Sequence, residues 1–315
     1  MTEYWIWICF SLALLYYGAE GLVRGSSSLA LRFGITPLVV GLTVVAMGTS
    51  APEVLVSVKA ALSGQGDLAV GNVIGSNIFN IGAILGLTAL IAPMRVQLQL
   101  LKFDAPIMLG VCCLTPLLLL DHTIRRWEGA LLFSGIILYL AVNVWVARRT
   151  ASPEVNSEYA EGVPPRSRSA ALDFAFILGG LGLLVFGARL LTDNAILLAR
   201  AYGVTEAVIG LTIVAAGTSV PELAASLVAA LRKESDIAIG NVIGSNIFNV
   251  LSILGIGAIA APLAASQIRM ADIFIMLGFC AALIPILWTG LRVSRLEGAL
   301  LFTAFLGYMT SLWPK

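Results

Sequence analysis

The sequence predicts an all-α integral membrane protein of ten transmembrane helices, built as two inverted five-helix repeats with broken second and seventh helices. Three observations lead there. Apolar residues make up 59% of the chain and charged residues 12%, against about 25% charged in an average soluble domain. The decapeptide Gly-Asn-Val-Ile-Gly-Ser-Asn-Ile-Phe-Asn occurs at 71–80 and again at 240–249, 169 residues later. A Gly-Thr-Ser-x-Pro-Glu segment lies inside an apolar run of each half, at 48–53 and 217–222.

The charges fall in short gaps between apolar runs of about twenty residues, the length that crosses a bilayer core. Backbone polar groups in hydrocarbon must be satisfied within the segment, so the runs are helices. The alternation of a barrel strand is absent. The first run, about 4–23, has no basic residue before it and reads as a span rather than a cleavable leader. The second, about 36–58, contains Pro52 and Glu53 and is expected to break there; the third, about 68–91, carries the decapeptide. Runs at about 103–120 and 127–147 complete the first repeat. The series recurs at about 171–191, 204–231, 237–261, 271–290 and 297–313.

The offset of 169 also carries Gly41–Glu53 onto Gly210–Glu222, with ten of thirteen positions identical, and Arg126–Phe133 onto Arg295–Phe302. Five spans per repeat is an odd number, so the second copy enters from the opposite side and the repeats are inverted. Many secondary transporters share that arrangement. The expected organisation is 1–147, a polar linker at 148–170 rich in Pro and Ser, and 171–315. With the N-terminus outside, inside loops hold twelve of the nineteen Lys and Arg residues, which places both termini outside. A net charge of +1 without a basic patch gives no sign of a nucleic-acid partner. The lipid bilayer and small cations are the expected partners, and a monomer is expected to suffice.

Glu53 and Glu222 lie within apolar runs, where an ionisable group costs a few kcal/mol and marks a functional interior. Pro52 and Pro221 remove a backbone donor and clash with the carbonyls of Gly48 and Gly217, so each helix is expected to open near its glutamate. Ala46, Ser50 and Glu53 share a face, with Thr49 at the break. On the next helix Asn72, Ser76 and Asn80 recur every four residues, with Asn77 to one side; the copies are Asn241, Ser245, Asn249 and Asn246. These are hard oxygen donors without thiolate or imidazole, a set that suits Ca²⁺, Mg²⁺, Mn²⁺ or an alkali ion. Two carboxylates neutralise one divalent ion or two monovalent ones.

The plainer alternative is packing. Gly71 and Gly75, and their copies Gly240 and Gly244, form Gly-x-x-x-Gly signatures, and Ser and Asn there can join helices. Packing and liganding coexist, but packing does not call for a buried Glu in each half. Cys9, Cys112, Cys113 and Cys280 read as small apolar core residues, and His122 as a loop-side residue. Glu20 with Arg24, and Arg189 with Asp193, read as helix salt bridges. Asp67, Asp236, Glu128 and Glu297 read as interfacial. Lys59, Asp104 and Asp272 have no motif around them.

The paired segments Ala46-Met47-Gly48-Thr49-Ser50-Ala51-Pro52-Glu53 and Ala215-Ala216-Gly217-Thr218-Ser219-Val220-Pro221-Glu222, with the two decapeptides, resemble the alpha repeats of the cation/calcium exchanger superfamily. The short prokaryotic sodium/calcium exchangers are the nearest match. The resemblance covers nearly the whole chain. It implies calcium ligands at Glu53 and Glu222, joined by the carbonyls of Thr49 and Thr218. It implies sodium sites from Ala46, Ser50, Ser76 and Asn80 in one half and Ala215, Ser219, Ser245 and Asn249 in the other. It further implies that the first and sixth helices slide past the rest. Some relatives carry Asp at the position of Asn249; here both halves carry Asn, which makes potassium co-transport less expected.

The function expected is therefore sodium-coupled calcium antiport in the inner or plasma membrane, with no cofactor and no enzymatic activity. The alternatives are proton-coupled export of Ca²⁺ or Mn²⁺ by the same fold and, from another class, a cation channel. A membrane enzyme lacks a nucleophile–base pair or metal centre in this sequence.

Overall fold

A computed structural model describes residues 2–150, 167, 169–204, 213 and 215–312, the side chains of 147–150 and 215 excepted. The described chain is almost entirely helical. Helix α1 is Thr2–Phe33. Helices α2 (Pro37–Thr49) and α3 (Ala51–Leu62) meet at a 47° bend. Then come α4 (Gly66–Ile91), α5 (Leu100–Leu118) and α6 (Arg126–Thr150). The second half contains α7 (Ala170–Ala201), the short α8 (Ala215–Gly217), α9 (Val220–Leu231), α10 (Ser235–Ala260), α11 (Met270–Trp288) and α12 (Arg295–Leu312). Seven of these are long and apolar enough to cross a bilayer, and counting the bent α2–α3 pair gives up to eight among the described residues. The seventh apolar run falls partly on 205–212 and 214, and most of the expected linker on 151–166 and 168, outside the described residues.

Helix α1 extends well beyond its apolar run. Ser26, Ser27 and Ser28 continue it and are buried against protein rather than lipid, so low hydropathy does not end the helix. Its long partner is α7. The two cross where Gly18 meets Gly180: a methyl group at Gly180 would stand 2.6 Å from the Gly18 carbonyl oxygen. Close backbone approach at small residues is how membrane helices gain packing energy when lipid supplies no hydrophobic drive.

Two short antiparallel ribbons tie the halves together. Strand β1 (Met94–Arg95) pairs with β4 (Arg292–Val293), and β2 (Thr123–Ile124) pairs with β3 (Leu263–Ala264). Each ribbon takes one strand from each half. Gly86 of α4 packs on Gly298 and Phe302 of α12, and Gly255 of α10 packs on Gly129 and Phe133 of α6. The core therefore lies between the halves, and large apolar side chains such as Trp127, Leu178 and Phe274 face outward.

Several sequence expectations are corrected here. Cys112 and Cys280 are buried as expected, but Cys9 and Cys113 face outward, where a membrane protein tolerates a small apolar side chain as well as in its core. Asp104 and Asp272, which have no sequence motif around them, find partners in the fold: Tyr139 donates to Asp104 at 3.0 Å, and Tyr308 to Asp272 at 3.2 Å. Each tyrosine comes from a later helix, a relation that local spacing does not display. Glu20 pairs with Arg24 at 2.7 Å as expected, and also with Arg232 at 2.6 Å.

Candidate cation-binding site

Pro52 initiates the site. It has no N–H for the Gly48 carbonyl and its ring crowds that oxygen, so the helix cannot continue unchanged. Helix α2 stops at Thr49, Ser50 adopts φ −80° and ψ 6°, and α3 restarts at Ala51. Glu53 becomes the third residue of a new helix, where unsatisfied N–H groups and the positive dipole end favour a carboxylate. The second half repeats this: Ser219 has φ −92° and ψ 7°, and Glu222 is the third residue of α9.

Ser-x-x-Glu at a helix start usually closes on itself as a capping box. Here neither serine caps its own helix. Ser50 Oγ donates to Glu222 Oε1 at 2.9 Å, and Ser219 Oγ donates to Glu53 Oε1 at 2.9 Å. The partners are exchanged between halves, which brings both carboxyl groups to one place. Ser50 Oγ also lies 3.2 Å from Ser245 Oγ. Both glutamates are 1% exposed.

The second pair of broken-helix neighbours adds amides. Helix α4 widens into a π-helical turn at Asn80–Leu85, and α10 does so at Asn249–Leu254. Such turns re-aim side chains at functional positions. Asn80 Nδ2 donates to Asn246 Oδ1 at 3.1 Å, and Asn249 Nδ2 donates to Asn77 Oδ1 at 2.9 Å. Tying down each amide nitrogen leaves the amide oxygen pointing elsewhere. Buried oxygens without a hydrogen-bond partner among the described residues include the carboxylate and amide acceptors Glu53 Oε2, Glu222 Oε2, Asn80 Oδ1 and Asn249 Oδ1, and also the Thr218 hydroxyl. Two of the acceptors are carboxylate and two are amide, and each half supplies one of each. An unpartnered buried acceptor costs about 1–3 kcal/mol, and carboxylate and amide oxygens left in this state are ones that a cation would satisfy.

Ala46, Thr49, Ser50, Glu53, Ser76, Asn80, Ser219, Glu222, Ser245 and Asn249 are all buried. Thr218 is half-buried, and the Ala215 side chain lies outside the described residues. Thr49 Oγ1 donates to the Val45 carbonyl at 3.1 Å and lies 3.2 Å from Asn241 Oδ1. Asn72, expected on the face shared by Ser76 and Asn80, instead donates to Ser57 at 3.0 Å. Its copy Asn241 donates to Ser226 at 2.9 Å and to the Glu222 carbonyl at 3.3 Å. These amides join a glutamate-bearing helix to its neighbour. Sequence reasoning missed Asn77 and Asn246 as the residues that orient Asn249 and Asn80. Their signal was present in the duplicated decapeptide, but a face drawn at every fourth residue leaves them aside.

These features define a multi-pass helical membrane protein with oxygen donors gathered between its halves. The chain belongs to the sodium/calcium exchanger family, whose members are transporters rather than enzymes: the family model described as sodium/calcium exchanger protein matches residues 3–145 and 172–313. The sodium/calcium exchanger MaX1 of Methanosarcina acetivorans is 29% identical over 99% of both chains. The inner membrane protein YrbG of Escherichia coli K12 is 41% identical over 80% of this chain and 78% of its own. Among solved structures, the sodium-calcium exchanger NCX_Mj soaked with 10 mM Na⁺ and 10 mM Sr²⁺ matches with a TM-score of 0.85 and 31% identity over 100% of both chains.

Proposed function

We propose that this protein is a secondary-active antiporter that exchanges Ca²⁺ for Na⁺ by alternating access, at a site between two inverted five-helix repeats. The observation that carries the reading is the set of four unpartnered oxygens from Glu53, Glu222, Asn80 and Asn249. Glu53 and Glu222 supply the charge that holds Ca²⁺. Thr49 and Thr218 add their carbonyls, and Ala46, Ser50, Ser76, Ala215, Ser219 and Ser245 complete sodium sites beside Asn80 and Asn249. One divalent ion or two sodium ions neutralise the same two carboxylates, so the occupants exclude one another.

Ten spans with opposite entry account for the ribbon pairing. In that topology the loops holding Met94–Arg95 and Arg292–Val293 share one face, and those holding Thr123–Ile124 and Leu263–Ala264 share the other, as the two ribbons require. The repeats are 1–147 and 171–315, joined by 148–170. The excess of Lys and Arg puts the linker inside and both termini outside, in the inner or plasma membrane, and one chain carries a complete site.

The direct test is ⁴⁵Ca uptake into sodium-loaded proteoliposomes. Uptake is expected only with an outward sodium gradient. Uptake driven instead by a proton gradient would make the protein a proton-coupled antiporter, and uptake that follows the calcium gradient alone would make it a channel.

The amide oxygens give a second test. Asn249→Asp adds a third carboxylate beside the first two, where like charges repel strongly in a poorly hydrated setting. Uptake is expected to steepen with pH and to respond to potassium as the extra charge takes up a proton or a monovalent ion. Asn80→Asp is expected to act in the same direction. Profiles that superimpose on the parent's in every condition would make both residues packing groups.

A further inference from the structure

A buried carboxyl group outside the candidate site occupies the turn between α9 and α10. The turn is Arg232-Lys233-Glu234, in which Lys233 takes the left-handed conformation with φ 64°. The first half makes the same turn with Gly64 at φ 71°, followed by Gln65. Gln65 is exposed, whereas Glu234 is 5% exposed. Closely similar backbone geometry therefore presents a neutral, exposed amide in one half and a buried acid in the other.

Glu234 packs against α1. Ser27 of α1 lies close enough to temper the carboxyl group without forming a full hydrogen bond, and both Glu234 Oε1 and Ser27 Oγ are buried and unpartnered among the described residues. Burial pushes the Glu234 carboxyl up to about 7; Ser27 lowers it, and the neighbouring charge of Asp236 adds to the rise. The other charges nearby are engaged. Glu20 on α1 is held by Arg24 and Arg232, Asp236 on α10 accepts from Gln97 at 2.5 Å, and Lys233 is exposed.

We propose that Glu234 is a proton-binding site that latches the α9–α10 turn against α1, so that pH at that membrane face regulates exchange. Protonated, the side chain is neutral and the turn stays packed. Ionised, it draws water and loosens from Ser27. Helix α9 is twelve residues long, with Glu222 near its start and Glu234 just beyond its end, so a shift at the turn is carried to the site by one rigid element. The sign follows from linkage: the packed state binds more protons than a hydrated turn, so its advantage is complete at low pH and falls as pH rises. The window runs from the ordinary value of 4.5 to about 7, and the packed-to-loose ratio changes across it by up to roughly 300-fold.

The regulatory half rests on the exchange reading; the latch does not, and the experiment separates them. Ser27→Cys is labelled with a membrane-impermeant maleimide across pH 5–9, with the parent's own cysteines as the blank. Labelling is expected to rise with a midpoint near 7, and to stay low at every pH when Glu234→Gln is added. Thermal unfolding supplies a readout without the cysteine: the parent is expected to lose stability relative to Glu234→Gln as pH rises toward 7. Labelling without pH dependence, or with the same dependence in Glu234→Gln, overturns the latch, as does a stability difference that is constant with pH. In proteoliposomes, uptake by the parent is expected to rise through pH 7 on that face and uptake by Glu234→Gln to stay near the parent's acid-side level. Superimposed uptake profiles overturn the regulation. If labelling behaves as expected while no variant exchanges calcium for sodium, the latch stands and the exchange reading falls.

Discussion

Glu53→Gln and Glu222→Gln are each expected to reduce sodium-driven calcium uptake to the background of protein-free liposomes. Each substitution keeps the size of the side chain and an oxygen that accepts from the serine of the other half, so the crossed hydrogen bonds from Ser219 and Ser50 can persist. What it removes is half the negative charge facing a divalent ion. Losing one partner of a buried charge pair costs about 3–5 kcal/mol, or roughly 10²–10⁴ in affinity. Monodisperse elution and helical circular dichroism matching the parent would show that the fold survives. Near-normal uptake by either variant would remove these carboxylates from the transport site.

Gly244→Ala is expected to cost about 1–3 kcal/mol of stability, in line with overpacking of a tight core, and to depress uptake strongly. Gly244 lies on α10, one residue before Ser245, and faces α2. A methyl group there would stand 2.6 Å from the Leu42 carbonyl oxygen and 2.9 Å from the Ala46 Cβ. Backbone cannot yield as a flexible side chain can, so α2 must move away, taking Ala46 and Ser50 with it. Gly110→Ala is the control: nothing described lies within 4 Å of its added methyl group, and alanine is the better helix former. Melting curves in detergent are expected to shift downward for Gly244→Ala alone. Equal melting and uptake in the two variants would mean that the α2–α10 contact does not hold the site.

Much of the architecture was legible in the chain. Apolar runs located the helices, because hydrocarbon imposes both a length and an internally bonded backbone. Pro52 and Pro221 located the breaks, because a missing N–H acts locally whatever surrounds it. The boundaries were less legible. The length of α1 depends on Ser26–Ser28 packing against protein, and hydropathy reads such residues as polar surface.

At the site, the sequence by itself determined which residues are present in duplicate: a glutamate three residues after a serine at each break, and an asparagine at the end of each decapeptide. It also determined their chemistry, since oxygen donors without thiolate or imidazole favour hard cations. Only the tertiary structure decided how they are joined. Ser50 serves Glu222 rather than Glu53, Asn77 holds Asn249, and Asn246 holds Asn80. Each of these bonds spans more than 160 residues of chain. Helical periodicity fixes which residues share a face of one helix, but which helix lies opposite is set by packing between the halves, and that information is not local to any segment.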